Sequence, residues 1–135
     1  MFHPAALGQI RGERRIRTAL RKMLRYPEGV YSYKKIWPYL LMPEASKDNV
    51  YPTVIPNWDN TSRCGRNGVV LHGSTPDLFR LHLRAALEQV ACKPPEHRLL
   101  FIKSWNEWAE GNHLEPDLKF GRRYLEVLKE EIDKF

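Results

Sequence analysis

RLLFIKS at 98–104, WNEWAEGNHLEPDLKFG at 105–121 and RRYLEVLKEEIDKF at 122–135 decide the fold. The first run is apolar and short enough for a buried strand. The second is a polar, glycine- and proline-punctuated loop. The third carries helical periodicity and predicts a helix that buries Tyr124, Leu125, Leu128 and Ile132 and pairs Glu130 with Lys134 on its exposed side.

The same order of elements occurs one step upstream. VYPTVI at 50–55 reads as a strand, although Pro52 cannot donate to a ladder. A polar loop, NWDNTSRCGRNG, and a brief apolar run, VVLHG, follow it. STPD at 74–77 then opens a helix with a hydroxyl cap, a first-turn proline and an early acid. Its apolar face is Phe79, Leu83, Ala86, Leu87 and Val90, and Lys93-Pro94-Pro95 ends it. Strand, loop and helix twice in succession predict βα units and a parallel sheet, an α/β chain. Further upstream, residues 31–41 (YSYKKIWPYLL) predict a short helix bent or stopped at Pro38. Residues 10–25 read as a basic amphipathic helix ended by Pro27 and Gly29. The expected division is a basic helical segment over 1–30 and the βα units over 31–135.

Charge locates the unusual segment. The 135 residues hold 22 Lys+Arg against 16 Asp+Glu, a formal net charge of +6. Residues 11–25 alone contain seven basic residues and one acid, so the rest of the chain is neutral. At 42% hydrophobic, the composition excludes a disordered tail. No apolar run is long enough to span a membrane, and the N-terminal residues lack the apolar core of a secretory signal. Cys64 and Cys92 match no zinc or redox spacing. The expectation is a cytoplasmic protein in which residues 11–25 present a solvated arginine face. Peripheral contact of this segment with the inner membrane stands second, and nucleic-acid binding is disfavoured.

In parallel α/β folds, sites form where strands end. Three of the four tryptophans, Trp58, Trp105 and Trp108, fall in the two loops after the expected strands, with Asp59, Asn106, Glu107, Glu110, Glu115 and Asp117. Indole faces suit the apolar face of a sugar ring, and carboxylates accept from its hydroxyls. Glu107 and Glu110, three apart, point the same way if the chain turns helically there, as paired acid/base chemistry on glycosides requires. Acids at the positive end of a helix and tryptophans serving only as core would leave the same pattern. His72 after VVL is a candidate to reach the sugar, or a hydrogen-bonded structural histidine. His113 has no second histidine at ligand spacing, so no metal is expected.

Residues 31–130 resemble the C-terminal part of the WbsX-type glycosyltransferases, also described as glycoside hydrolase family 99-like proteins. The stretches that carry the resemblance are YSYKKIWPYLL, NVYPTVIPNWDNTSRCGRNG, LHGSTPDLF and, above all, FIKSWNEWAEGNHLEPDLKFGRRYLE. The resemblance implies the C-terminal part of a (β/α)8 TIM-type barrel acting on glycans in lipopolysaccharide O-antigen or capsular polysaccharide pathways, on a substrate that is lipid-linked in such pathways. It also implies roles. Glu107 resembles the base that takes the proton of the sugar 2-hydroxyl, whose oxygen attacks the anomeric carbon to give an anhydro-sugar. Glu110 resembles the acid that protonates the departing oxygen and then activates water or acceptor. Trp58, Asp59, Trp105, Asn106, Trp108, Glu115 and His72 are expected to bind substrate. The chain departs from the related endo-mannosidases at Ala109, where they have histidine, so the resemblance carries no mannose preference.

No D-x-D and no G-x-G-x-x-G occur, so transfer and hydrolysis through the glutamates both remain open, without a cofactor. A barrel of this type takes about 250 residues. The expectation is an incomplete barrel, from a fragment or a split enzyme, that is poorly active alone and completed by a separate chain carrying the other strands. The other function class is an inactive fragment, or a membrane or nucleic-acid binding module acting through the basic helix.

Overall fold

The computed structural model describes residues 27, 29–47 and 49–135. The expected basic helix and most of the expected 1–30 segment lie outside them. In chain order the elements are β1 (Gly29–Ser32), α1 (Tyr33–Ile36), β2 (Thr53–Val54), α2 (Thr61–Cys64), β3 (Val69–His72), α3 (Pro76–Ala91), β4 (Phe101–Ile102), β5 (Asn106–Glu107), β6 (Asn112–His113) and α4 (Arg123–Ile132).

The chain is α/β. Among the described residues, strands form three two-stranded sheets and no closed barrel. Two of the sheets are parallel: β1 with β3, Gly29 opposite Val69, and β2 with β4, Thr53 opposite Phe101. Pro52 contributes only its carbonyl, which accepts from Phe101 N at 3.0 Å, so a proline sits in the ladder without a lost donor. The third sheet, β5 with β6, is antiparallel and lies inside what the sequence reads as loop.

Helix α3 forms as its local signals dictate. Thr75 is extended, its Oγ1 accepts from Leu78 N at 3.2 Å, and Pro76 fills the first turn. All five expected apolar positions are buried, each stabilising by about 1.5–3 kcal/mol for the larger side chains. Phe79, Leu83, Ala86 and Leu87 pack with Val54, Leu114, Tyr124 and Val127 into one cluster, in which the Phe79 and Tyr124 rings lie 5.6 Å apart. A second cluster gathers Tyr33, Ile36 and Leu71, with Trp37 and Trp58 against it.

Four expectations change. Residues 31–41 are not one short helix: Tyr31 and Ser32 belong to β1, α1 is a single turn, and Pro38 sits in a 3-10 turn, Trp37–Tyr39. The 98–104 run is ordered as a strand only at β4, which among the described residues pairs with β2 alone, and Phe101 in it is exposed. On α4, Ile132 is exposed and Glu131 is buried in its place. Arginines from α3 reach it: Arg80 Nη1 at 2.7 Å and Arg84 Nε at 2.7 Å. Finally, Glu130 does not pair with Lys134. It accepts from Arg80 at 2.6 Å and Arg123 at 3.0 Å, while Lys134 reaches Glu131.

Two buried polar groups tie the segments flanking β2 to α3 and the turn that follows it. Lys93 Nζ donates to the carbonyls of Lys47, at 2.7 Å, and Val50, and lies over the Tyr51 ring. The Tyr33 hydroxyl donates to the Ile55 carbonyl at 2.6 Å, which leaves its oxygen to accept from His82 Nδ1 at 3.1 Å. Burial pulls His82 down to about 4, so it is neutral at pH 7 with the proton on Nδ1.

Candidate functional site

The site builds outward from β4. The chain leaves that strand through a cis Lys103–Ser104 peptide and enters β5. Ser104 Oγ donates to the Asn112 carbonyl at 2.8 Å and accepts from Glu107 N at 3.1 Å, closing the hairpin. Between its strands lies a 3-10 turn, Trp108–Glu110, entered from Glu107 and left through Gly111 at φ 51. Glu107, the last residue of β5, enters this turn, and Glu110 ends it.

Both carboxylates meet one guanidinium. Arg63 Nη2 is 3.5 Å from Glu107 Oε1, and Arg63 Nη1 is 3.1 Å from Glu110 Oε1. Lys103 Nζ reaches the other oxygen of Glu110 at 3.3 Å and stands 5.0 Å over the Trp58 ring. The two acids are unequal: the Glu110 side chain is 17% exposed and Glu107 40%. Neither Arg63 nor Lys103 was singled out in the sequence. The bond from Arg63 to Glu110 spans 47 positions, which no periodicity reveals. Lys103, next to last in FIKS, carried the one available signal: a cation at a strand end shortly before acids.

Trp108, Glu115, His113 and Asp117 form a second group. Trp108 Nε1 donates to Glu115 Oε2 at 2.6 Å, and the indole stacks on His113 with centroids 3.8 Å apart and planes 14° apart. His113 Nε2 lies 3.2 Å from Asp117 Oδ2. Burial opposes ionisation of Asp117, yet the amides of Phe120 and Lys119 and the His113 ring hold its carboxyl below the usual range. With one face on His113, Trp108 remains 49% exposed.

The loop after β2 is tied to this hairpin at two places. Asn57 Nδ2 donates to the His113 carbonyl at 3.1 Å, and its Oδ1 accepts from His113 N at 2.8 Å. Buried Asn112 donates in return to the carbonyls of Asn57, at 2.6 Å, and Lys103, at 2.8 Å. Further along, Asp59 N donates to the Glu110 carbonyl at 2.9 Å and Ser62 Oγ to the Ala109 carbonyl at 2.5 Å. A Cβ at Gly111 would stand 2.8 Å from the Asp59 carbonyl oxygen, so only glycine allows this approach.

The structure therefore gathers Trp58, Asp59, Glu107, Trp108, Glu110 and Glu115 around the hairpin and its neighbouring loop. The Asp59 carboxylate turns away to its own chain, accepting from Thr61 N at 3.0 Å and Thr61 Oγ1 at 2.5 Å. Trp105 is exposed, and its carbonyl accepts from Leu114 N and Glu115 N. Asn106 is exposed in β5 opposite His113, and His72 is exposed at the end of β3 opposite Ser32.

Acids, cations and exposed indoles gathered where parallel strands end have the chemical make-up of a site for polyhydroxylated ligands. The model of the family Glycosyltransferase WbsX matches residues 5–128, and the chain belongs to that family. The chain is also 40% identical over 87 residues to WxcX, an uncharacterized protein of Xanthomonas campestris pv. campestris, in strains B100 and ATCC 33913. That similarity covers 63% of this chain, and the chain spans only about an eighth of WxcX, 12% of its length. No solved structure matches the chain.

Proposed function

We propose that the chain carries the reacting end of a glycan-active enzyme in O-antigen or capsular polysaccharide biosynthesis, with Glu107 as base and Glu110 as acid. The observation that carries this reading is the meeting of both carboxylates at one guanidinium, beside exposed indoles, in a member of the WbsX family. Glu107, the more exposed acid with the longer ion pair, takes the proton of the sugar 2-hydroxyl. Glu110 gives its proton to the leaving oxygen and later takes one from water or an acceptor. Trp105, Trp108, Trp58, Asn106, His72 and Glu115 line the sugar, and Asp59 shapes the loop that faces it.

Residues 31–135 then correspond to the last βα units of a (β/α)8 barrel, with a further chain or segment supplying the other strands. Two parallel strand pairs, one of which (β2 with β4) runs into the segments that meet at the glutamates, support that placement. The family match includes residues 11–25, for which contact with an anionic membrane surface is the proposed role. Among the described residues no helix is long and apolar enough to cross a membrane.

Fluoride release from a panel of α- and β-glycosyl fluorides, with and without an acceptor sugar, tests the chemistry. Fluoride departs without an acid. Glu107→Gln should therefore lose release by about 10²–10⁴-fold. Glu110→Gln should keep the first release of fluoride and lose release of methanol from methyl glycosides. Where the unchanged protein releases fluoride, equal turnover by Glu107→Gln removes the reading.

A further inference from the structure

We propose that Arg63 is a positioning residue for the reacting pair: one guanidinium, held by its own docked helical turn, fixes Glu107 and Glu110 side by side. The inference rests on the reading of these two acids as the reacting groups and adds a residue that the reading does not contain.

Two carboxylates that flank one short turn repel each other, and left alone their side chains would splay into solvent. A planar guanidinium offers two parallel donors, which is the geometry needed to engage two acids at once. Arg63 uses Nη2 for Glu107, at 3.5 Å, and Nη1 for Glu110, at 3.1 Å. A lysine ammonium, a point charge on a flexible stem, imposes no such fork.

An exposed ion pair is ordinarily worth little, because both side chains must be ordered to make it. Here the ordering is done by other contacts. Arg63 sits on α2, whose first residue is held by the Asp59 carboxylate through Thr61 N and Thr61 Oγ1. Ser62, its neighbour, donates to the Ala109 carbonyl, between the two glutamates. Asp59 N donates to the Glu110 carbonyl, and Gly111 lets the two backbones meet. The turn that carries Arg63 is thus docked on the turn that carries the acids, independently of the ion pairs. Lys103 engages only Glu110, so it anchors one acid without relating it to the other.

Carbodiimide coupling with glycine methyl ester, mapped by peptide mass spectrometry, reads the pairing whether or not the chain turns over a glycan. Arg63→Met should raise modification of Glu107 and Glu110 together, by about threefold or more. Arg63→Lys should raise it less at Glu110 than at Glu107, and Arg66→Met, on the neighbouring exposed turn, should leave both unchanged. A change at only one acid in Arg63→Met, or at neither, overturns the proposal.

With the glycosyl fluorides, Arg63→Met should lower kcat with KM unchanged, and added guanidinium ion should restore the rate of Arg63→Gly but not of Glu107→Gln. An unchanged kcat in Arg63→Met overturns the proposal while leaving the glutamate assignment intact. Full activity in Glu107→Gln removes the glutamate assignment, and the modification pattern still decides the pairing.

Discussion

The indole of Trp108 lies flat on the imidazole of His113, with centroids 3.8 Å apart and planes 14° apart, and is held in its plane by the bond from Nε1 to Glu115. A side chain fixed at both its face and its edge gives up little entropy when a ligand covers the remaining face. His113→Ala removes the floor. Sugar-dependent quenching of tryptophan fluorescence should weaken by about 0.5–1.5 kcal/mol in apparent affinity. Trp108→Ala should abolish that component of the signal, and an unaltered titration in both variants would exclude Trp108 as a platform.

Stability should fall between pH 6.5 and about 4 because of His82. Its folded value is depressed to about 4 by burial, against about 6.5 in the unfolded chain. Protons bind the unfolded state first as pH drops, so the stabilisation is full above 6.5 and lost on the way to 4. The loss is on the order of 3 kcal/mol. Urea melts of the unchanged chain and His82→Phe across this range check it: the variant should lose the dependence.

Glu131→Ala should cost about 1–3 kcal/mol, because Arg84 loses its acid and Arg80 keeps only Glu130. Hydrogen bonds from Arg84 and Arg80 draw Glu131 down to about 2. Its contribution is therefore present above about pH 4.5 and lost as pH falls towards 2, below the window of His82. Thermal melts of Glu131→Ala and Glu131→Gln should both be lowered, with the alanine variant lower.

Gly111→Ala should destabilise by about 1–3 kcal/mol, since φ 51 and a Cβ 2.8 Å from a backbone oxygen act together. Any glycoside turnover should fall further than stability alone explains, because the Asp59–Glu110 approach opens. Gly121→Ala, at φ 55 with open space around it, has the positive φ without the close approach and serves as the control.

Local rules made α3 legible. Its cap, first-turn proline and apolar face all lie within 16 residues, and the structure follows them. The WNEWAEG loop was legible as a place to look because it follows a strand. Three features were not. β1 is written in GVYS, with neither a β-branched run nor strict alternation, and its strand character comes from β3 about 40 positions away. The buried face of α4 turns from Ile132 to Glu131 because donors arrive from α3, which apolar periodicity does not count. Arg63 reaches the acids only after the loop of β2 folds over the hairpin. Each miss is a long-range polar pairing overriding a local pattern.

Asn57 gives the hairpin a partner without a strand. One side-chain amide exchanges both of its bonds with the backbone of His113, while Asp59 and Ser62, from the same loop, grip the turn with the glutamates. The ring that floors the indole and the turn that bears the acids thus hang from separate tethers. The indole answers to both, because Trp108 rests on the His113 ring and lies in the turn between Glu107 and Glu110. A change at either tether therefore reaches indole and acids together.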